Sequence, residues 1–304
     1  MTTNERLTVA VLGPGGVGGL LAALLARAGN RVICLAGEET ARTLDENGIT
    51  VRSARFGEFT ARVETATELR EPVDATLITV KHTTLTTALD RLPAKALTPD
   101  TLVVPFLNGV EHPAALRAHY ADAAAHIAPA TIRVESTRVA PGVIEHGSPF
   151  ADVDLTGDTV PRDRLNSLAG ALEWSGLGTR VLPDETAVLW AKMSFLAPFA
   201  LLTTRYGLPL GEIRTHHRDE LTALVEETAA VSAAVGSPTD PTEALRRYDA
   251  FPPLTKSSMQ RDAESGRPLE LDAIGGALLR AAARHDVPVP VTTRVVRELR
   301  RRHA

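Results

Sequence analysis

Residues 7–35 read LTVAVLGPGGVGGLLAALLARAGNRVICL, and the placement of glycine within them decides the first half of the fold. Residues 7–12 form a short apolar run that stops at glycine. Residues 20–28 are rich in Ala and Leu and close at Gly29, and residues 31–35 are apolar again. Strand, turn, helix, stop and second strand within about 35 residues make a βαβ unit. In the turn, Gly13-Pro14-Gly15-Gly16-Val17-Gly18, the glycines sit where a dinucleotide-binding fingerprint needs them. Gly13 permits the tight turn, Gly15 lets backbone approach a pyrophosphate, and Gly18 lets the helix pack on the strand. Amides at the helix N-terminus, from Gly16 and Val17 onward, then face the phosphates. Glycine turns are common; one that follows a strand and opens a helix is read as dinucleotide-binding.

The same fingerprint expects an acidic residue about 20 positions on to take the ribose 2′-hydroxyl, and Glu38 or Glu39 is in range. Either serves equally well as an N-terminal helix charge favoured by the macrodipole, so both accounts stand. Residues 39–46 form the next helical segment, stopped by the turn dipeptide Asn47-Gly48. Two β-rich pieces follow, 49–52 and 56–63, then a buried-type strand over 75–80 with Lys81 at its end. A further strand, 101–106, runs into Asn108-Gly109. Between 125 and 155 β-branched residues, broken by Pro141-Gly142 and His146-Gly147, predict antiparallel strands that finish the sheet. From residue 184 the pattern is helical: 185–202, 218–235, 241–250, 269–283 and 292–301. The expected architecture is an α/β Rossmann-type N-terminal domain over 1–182, followed by an all-α C-terminal domain over 183–304. A cleft between two such domains is the expected ligand site.

With 304 residues the chain is long enough for one large domain or two ordinary ones, and 44% hydrophobic content is enough to bury a substantial core. A net charge of -4 leaves no electrostatic footprint for nucleic acid. The basic run Arg297, Arg300, Arg301 and Arg302 closes a helical pattern, where cations are favoured. The single cysteine, Cys34, excludes an internal disulfide framework and a multi-Cys zinc site, and no metal is expected. No uninterrupted apolar stretch reaches the roughly 18 residues that span a bilayer, and residues 1–6 lack a signal-peptide core, so no membrane partner and a cytoplasmic location are expected. The long helices of the second half offer either a homodimer interface or surfaces that pack internally.

Five features occur in order along the chain: the glycine turn, Val80-Lys81, Leu107-Asn108-Gly109-Val110-Glu111, Trp190-Ala191-Lys192-Met193, and the stretch from Ser257-Ser258-Met259 to Glu270. In their order and spacing the chain resembles the ketopantoate reductase (2-dehydropantoate 2-reductase) family over nearly its whole length. The resemblance implies reduction of a 2-oxo acid ketone, usually with NADPH, NADH not being excluded. It implies that Lys192 is the catalytic lysine that protonates the carbonyl oxygen, that Glu270 orients it, and that Ser258 holds the substrate carboxylate. Lys81 and Asn108 then lie at the cofactor and substrate end of the site. A lysine acting as general acid needs its pKa brought toward the working pH, and its charge stabilises a developing alkoxide. Without the resemblance, Lys192 reads as a solvated helix lysine, Glu270 as an N-terminal helix carboxylate, Ser258 as a cap and Asn108 as a turn residue.

Two departures from the family matter. Ketopantoate reductases usually carry asparagines four and eight positions after the catalytic lysine; here those positions are Leu196 and Ala200, on the same helix face as Lys192. The face is apolar, with Phe195, Pro198 and Phe199 nearby, and Pro198 is expected to kink the helix. A substrate more apolar or bulkier than ketopantoate follows. At the end of the second strand, where NADPH-using members typically place an arginine, this chain has Gly37 followed by two glutamates, with Arg42 one turn on. The leading reading is an NAD(P)H-dependent reductase of a 2-oxo acid or related carbonyl, a small-molecule substrate. The alternative is redox-neutral cyclisation or isomerisation on the same fold.

Overall fold

The computed structural model describes residues 6–123 and 125–303, which divide into two compact units. One runs up to Leu107 and resumes over His112–Glu185; the other comprises Asn108–Glu111 and the chain from Thr186 onward.

The first unit is built on six parallel strands, in spatial order Glu64–Ala66, Arg31–Leu35, Thr8–Leu12, Ala75–Ile78, Leu102–Pro105 and His126–Ile127. Val9 of the central strand pairs with Val32 on one side and Ala75 on the other. Its side chains alternate between two cores. Val9 and Val11 pack with Leu20, Leu21, Leu24 and Leu25 of the helix Gly16–Arg27. Ala10 and Leu12 pack on the opposite face with Ile33, Leu35 and Ile78. Burial on both faces explains why these strands read as continuous apolar runs.

The strands after residue 125 correct the sequence reading. Only His126–Ile127 joins the main sheet, and it does so in parallel. Ser136–Ala140 and Val143–His146 do form the antiparallel pair that Pro141-Gly142 predicts, but they extend the earlier hairpin of Ile49–Ser53 and Gly57–Ala61 into a separate four-stranded sheet. Ala130–Arg133, Asp152–Leu155 and Gly178–Val181 form a third sheet. Alternation tells which face of a strand is buried; it does not name the neighbouring strand. Gly16, at the start of the first helix, is where the four-stranded sheet comes closest, since a Cβ there would collide with the Ser136 backbone; at Gly19 a Cβ would lie 2.6 Å from the movable Ile144 Cδ1.

The second unit is helical. Its helices are Glu185–Tyr206, Leu210–His216, Arg218–Ala234, Pro241–Ala250, Ser258–Glu264, Ala277–Arg284 and Pro290–Arg302, with a π-helical turn at Asp272–Gly276. Caps fix several starts: Asp240 accepts from Thr242 N at 2.8 Å with Pro241 at the first helical position, and Glu227 accepts from Val291 N and Thr292 N at 2.8 Å. Pro198 lies inside the helix Glu185–Tyr206 without ending it. A proline there removes the donor for the Ser194 carbonyl, and beside that break Tyr248, fully buried, donates its hydroxyl to the Phe195 carbonyl. Among the described residues this helix is the one long and apolar enough on average to cross a bilayer, although its uninterrupted apolar runs are short. With 67% of its apolar window buried inside the protein, it has the character of a core helix.

Candidate active site

The glycine turn separates into positions the fold requires and one it leaves open. Gly13 adopts φ +85°, and a Cβ there would collide with Val80. At Gly18 it would collide with Thr79 Oγ1 and the Gly13 carbonyl, and at Gly16 with the Ser136 carbonyl. Thr79 Oγ1 locks the turn further by donating to the carbonyls of Leu12 and Gly13 at 3.0 and 2.8 Å. At Gly15, by contrast, no protein atom beyond its chain neighbours comes nearer than 3.9 Å to such a Cβ. Among the described residues no contact demands glycine at this position, and its bare backbone is open to close approach by an outside group. Gly15 is also the N-cap of the helix Gly16–Arg27, has no side chain to satisfy the first amides, and leaves them to an anion. The turn therefore fits a dinucleotide pyrophosphate. Lys81 is exposed three residues beyond the strand Ala75–Ile78, at the carboxyl end of the sheet where ligands of such folds bind. Glu38 and Glu39 are exposed in the first turn of the helix Glu38–Asn47, and Arg42 is exposed one turn on.

In the helical unit, Lys192 is half-buried on the helix Glu185–Tyr206. One turn along, Leu196 is also half-buried, whereas Ala200 is 1% exposed and belongs to the helical core. The Phe195 ring stacks on Tyr248 at 4.5 Å and packs against Phe199 and Phe251. Glu270 is 6% exposed and opens the segment that becomes the π-helical turn, its carbonyl accepting from Ile274 N at 3.1 Å. π-turns of this kind gather at functional sites.

The structure brings Asn108 to Glu270, with Asn108 Nδ2 donating to Glu270 Oε2 at 3.0 Å across 162 residues of sequence. The rest of the Asn108–Glu111 segment is clamped to the same region. Gly109 has φ +93°, and a Cβ there would lie 2.5 Å from the Ala273 carbonyl. Glu111 pairs with Arg280 at 2.7 Å and Arg284 at 3.4 Å, and the Arg280 hydrogen bond holds the Glu111 carboxyl below the usual carboxylate range. Sequence reasoning treats Asn108 as a cofactor and substrate contact and misses its bond to Glu270, since no spacing rule links residues so far apart.

The capping reading of Ser258 is corrected. The cap is Ser257, 1% exposed, whose Oγ accepts from Gln260 N at 3.0 Å and bonds Thr203 Oγ1 at 2.8 Å. Ser258 is exposed as the first residue of the helix Ser258–Glu264, so its hydroxyl is left for another role.

The sequence matches the family described as ketopantoate reductase PanE/ApbA over residues 9–154, and the C-terminal part of that family over residues 185–303. The chain belongs to the ketopantoate reductase family. It is 30% identical over 305 residues to a 2-dehydropantoate 2-reductase of Caulobacter vibrioides, covering 95% of this chain and 97% of that one. The crystal structure of 2-dehydropantoate 2-reductase from Methylococcus capsulatus is similar with a TM-score of 0.87 at 28% identity, covering 98% of each chain. The ternary structure of D-mandelate dehydrogenase with NADH and anilino(oxo)acetate has the same fold, with a TM-score of 0.86 at 20% identity over 97% of this chain and 98% of that one. This ketopantoate reductase relative is accordingly an NAD(P)H-dependent oxidoreductase acting on a ketone.

Proposed function

We propose that the protein reduces a 2-oxo acid more apolar or bulkier than ketopantoate, using NADPH. The observation that carries this reading is Leu196, half-buried one turn from Lys192 where the family resemblance leads one to expect an asparagine. A site that lacks a donor for a substrate hydroxyl gains nothing from that hydroxyl and favours apolar bulk. D-mandelate dehydrogenase, of the same fold, holds anilino(oxo)acetate, so the architecture is compatible with such ligands.

In this reading residues 1–182 hold the dinucleotide and residues 183–304 the substrate. Gly13, Gly15, Gly16, Val17 and Gly18 cradle the pyrophosphate, and Lys81 and Asn108 attend the reacting end. The reduced nicotinamide, when bound, supplies the hydride. Lys192 gives its proton to the carbonyl oxygen, which becomes the hydroxyl of the product, and the neutral amine recovers a proton from water. Until that transfer is complete its charge stabilises the developing alkoxide. Glu270, fixed by Asn108, orients the ammonium, and Ser258 binds the substrate carboxylate. Cys34 is buried and free, which suits a reducing compartment such as the cytoplasm.

Following nicotinamide absorbance with a panel of 2-oxo acids tests the proposal. Aryl or branched 2-oxo acids are expected to turn over with higher kcat/KM than ketopantoate, and Lys192→Ala to abolish turnover while dinucleotide binding persists. Ketopantoate turned over as well as any other member of the panel would refute the substrate class, and undiminished rates in Lys192→Ala would refute the acid. Conversion of substrate without consumption of nicotinamide would point to redox-neutral chemistry instead.

A further inference from the structure

In a dinucleotide-binding fold the ribose 2′ position is read at the carboxyl end of the second strand. Here the strand Arg31–Leu35 runs into Ala36, Gly37, Glu38 and Glu39, with no basic side chain among them. The structure brings a cation to this place from 55 residues away. Arg91 Nη1 donates to the carbonyl of Ala36 at 3.0 Å and to that of Thr67 at 2.9 Å, the first residues past the paired strands Arg31–Leu35 and Glu64–Ala66. Its own carbonyl accepts from Leu69 N at 2.8 Å, so backbone and guanidinium are both fixed. Nη2 stands 3.8 Å from where a Cβ on Gly37 would lie, the nearest atom to that position.

Two aspects of this arrangement are not explained by folding. Arg91 is half-buried and donates to carbonyl dipoles; among the described residues its charge is not matched by a carboxylate within ion-pair distance. Gly37 has φ -67° and ψ 157°, a conformation open to any residue, and neither backbone strain nor crowding requires glycine there. What the missing side chain does is leave the space over the guanidinium clear. A planar guanidinium held by one nitrogen, with the second beside open space, matches a phosphate by charge and by fork geometry. The amide-rich start of the helix Glu38–Asn47 adds to the positive field, and the opposing Glu38 and Glu39 carboxylates are exposed and screened by water.

We propose that Arg91 recognises the ribose 2′-phosphate and so selects NADPH over NADH, in place of an arginine at the end of the second strand. This deepens the reading of the chain as a nicotinamide dinucleotide reductase and rests on it. The test is calorimetric titration of NADPH, NADH, 2′,5′-ADP and 5′-ADP into the whole protein and into Arg91→Gln and Gly37→Asp. The second variant leaves both carbonyl bonds of Arg91 intact and sets a carboxylate beside its Nη2, which guards against a folding artefact in the first. The native protein is expected to bind 2′,5′-ADP about tenfold or more tightly than 5′-ADP, the size of one charge-assisted contact. Both variants should erase that difference and leave NADH affinity in place. A native protein indifferent to the 2′-phosphate, or variants that keep the preference, would overturn the role of Arg91 while NADH binding upheld the reductase reading. Failure of the native protein to bind either dinucleotide would overturn the reductase reading itself.

Discussion

Replacing Asn108 asks whether the segment Asn108–Glu111 serves Glu270. Asn108 Nδ2 donates to Glu270 Oε2 at 3.0 Å, and Glu270 is 6% exposed, so water is poorly placed to substitute for the amide. A hydrogen bond to a charged group contributes about 1.5–3 kcal/mol, and at about 1.36 kcal/mol per decade that is roughly 10–150-fold. Asn108→Ala is expected to lower kcat/KM by up to this factor with a small fall in thermal midpoint, because Gly109 and the Glu111 ion pairs still hold the segment. Asn108→Asp is more revealing. It sets a second carboxylate, an acceptor with no proton to donate, where the amide donated to Glu270, and two like charges held that close repel. At pH 8 Asn108→Asp should be less active and less stable than Asn108→Ala. Steady-state kinetics and thermal melts of both variants at that pH are the assay, and an Asn108→Asp variant as good as Asn108→Ala would refute the argument.

Two further outcomes are expected. Gly18→Ala should destabilise the first unit by about 1–3 kcal/mol through overpacking against Thr79 and the Gly13 carbonyl, whereas Gly15→Ala should fold normally and lose dinucleotide affinity; equal melting points for the two would contradict the division of the turn. Glu111, held below the usual carboxylate range by Arg280, contributes stability that is fully present above its unfolded value near about 4.3 and is lost as pH falls through its depressed folded value. Its side chain and that of Arg280 are 33% and 42% exposed, so the effect is small, and Glu111→Gln should flatten the acid end of the thermal midpoint profile; identical acid slopes in Glu111→Gln and the native protein would exclude the ion pair as its source.

The βαβ unit was legible because its determinants are local. Gly13 and Gly18 are dictated by contacts with residues of the adjoining strand ends, and the helix Pro241–Ala250 by a proline at its first position and an aspartate before it. The assignment of strands to sheets was not legible, because Ile49–Ser53 finds Val143–His146 across some ninety residues on the basis of packing against the helix Gly16–Arg27. The same limit hid Asn108 beside Glu270 and Arg91 beside Ala36: each is a tertiary meeting of polar groups, which no periodicity records. The capping error at Ser258 was of another kind. Ser257 and Ser258 are adjacent and of one type in the sequence, and it is the bonds from Gln260 N and to the Thr203 hydroxyl on the lysine-bearing helix that distinguish the one that turns inward.

Burial also separates Leu196 from Ala200, which the sequence presents as two equivalent replacements. Ala200 is 1% exposed among Leu201, Leu202 and Leu271 in the helical core. An asparagine there would need partners for its amide or cost about 1–3 kcal/mol as a buried unsatisfied group. Alanine at that position is therefore accounted for by packing alone, whatever the substrate. Leu196 is half-buried: part of its side chain packs against the helical core and part is still open to other molecules. The case for an apolar substrate therefore narrows from a face of the helix to one side chain, four residues beyond Lys192. A helix that must bury Met193, Ala197, Pro198, Phe199, Ala200 and Leu201 retains little freedom to vary its specificity, and most of what remains on the lysine's own face lies at Leu196.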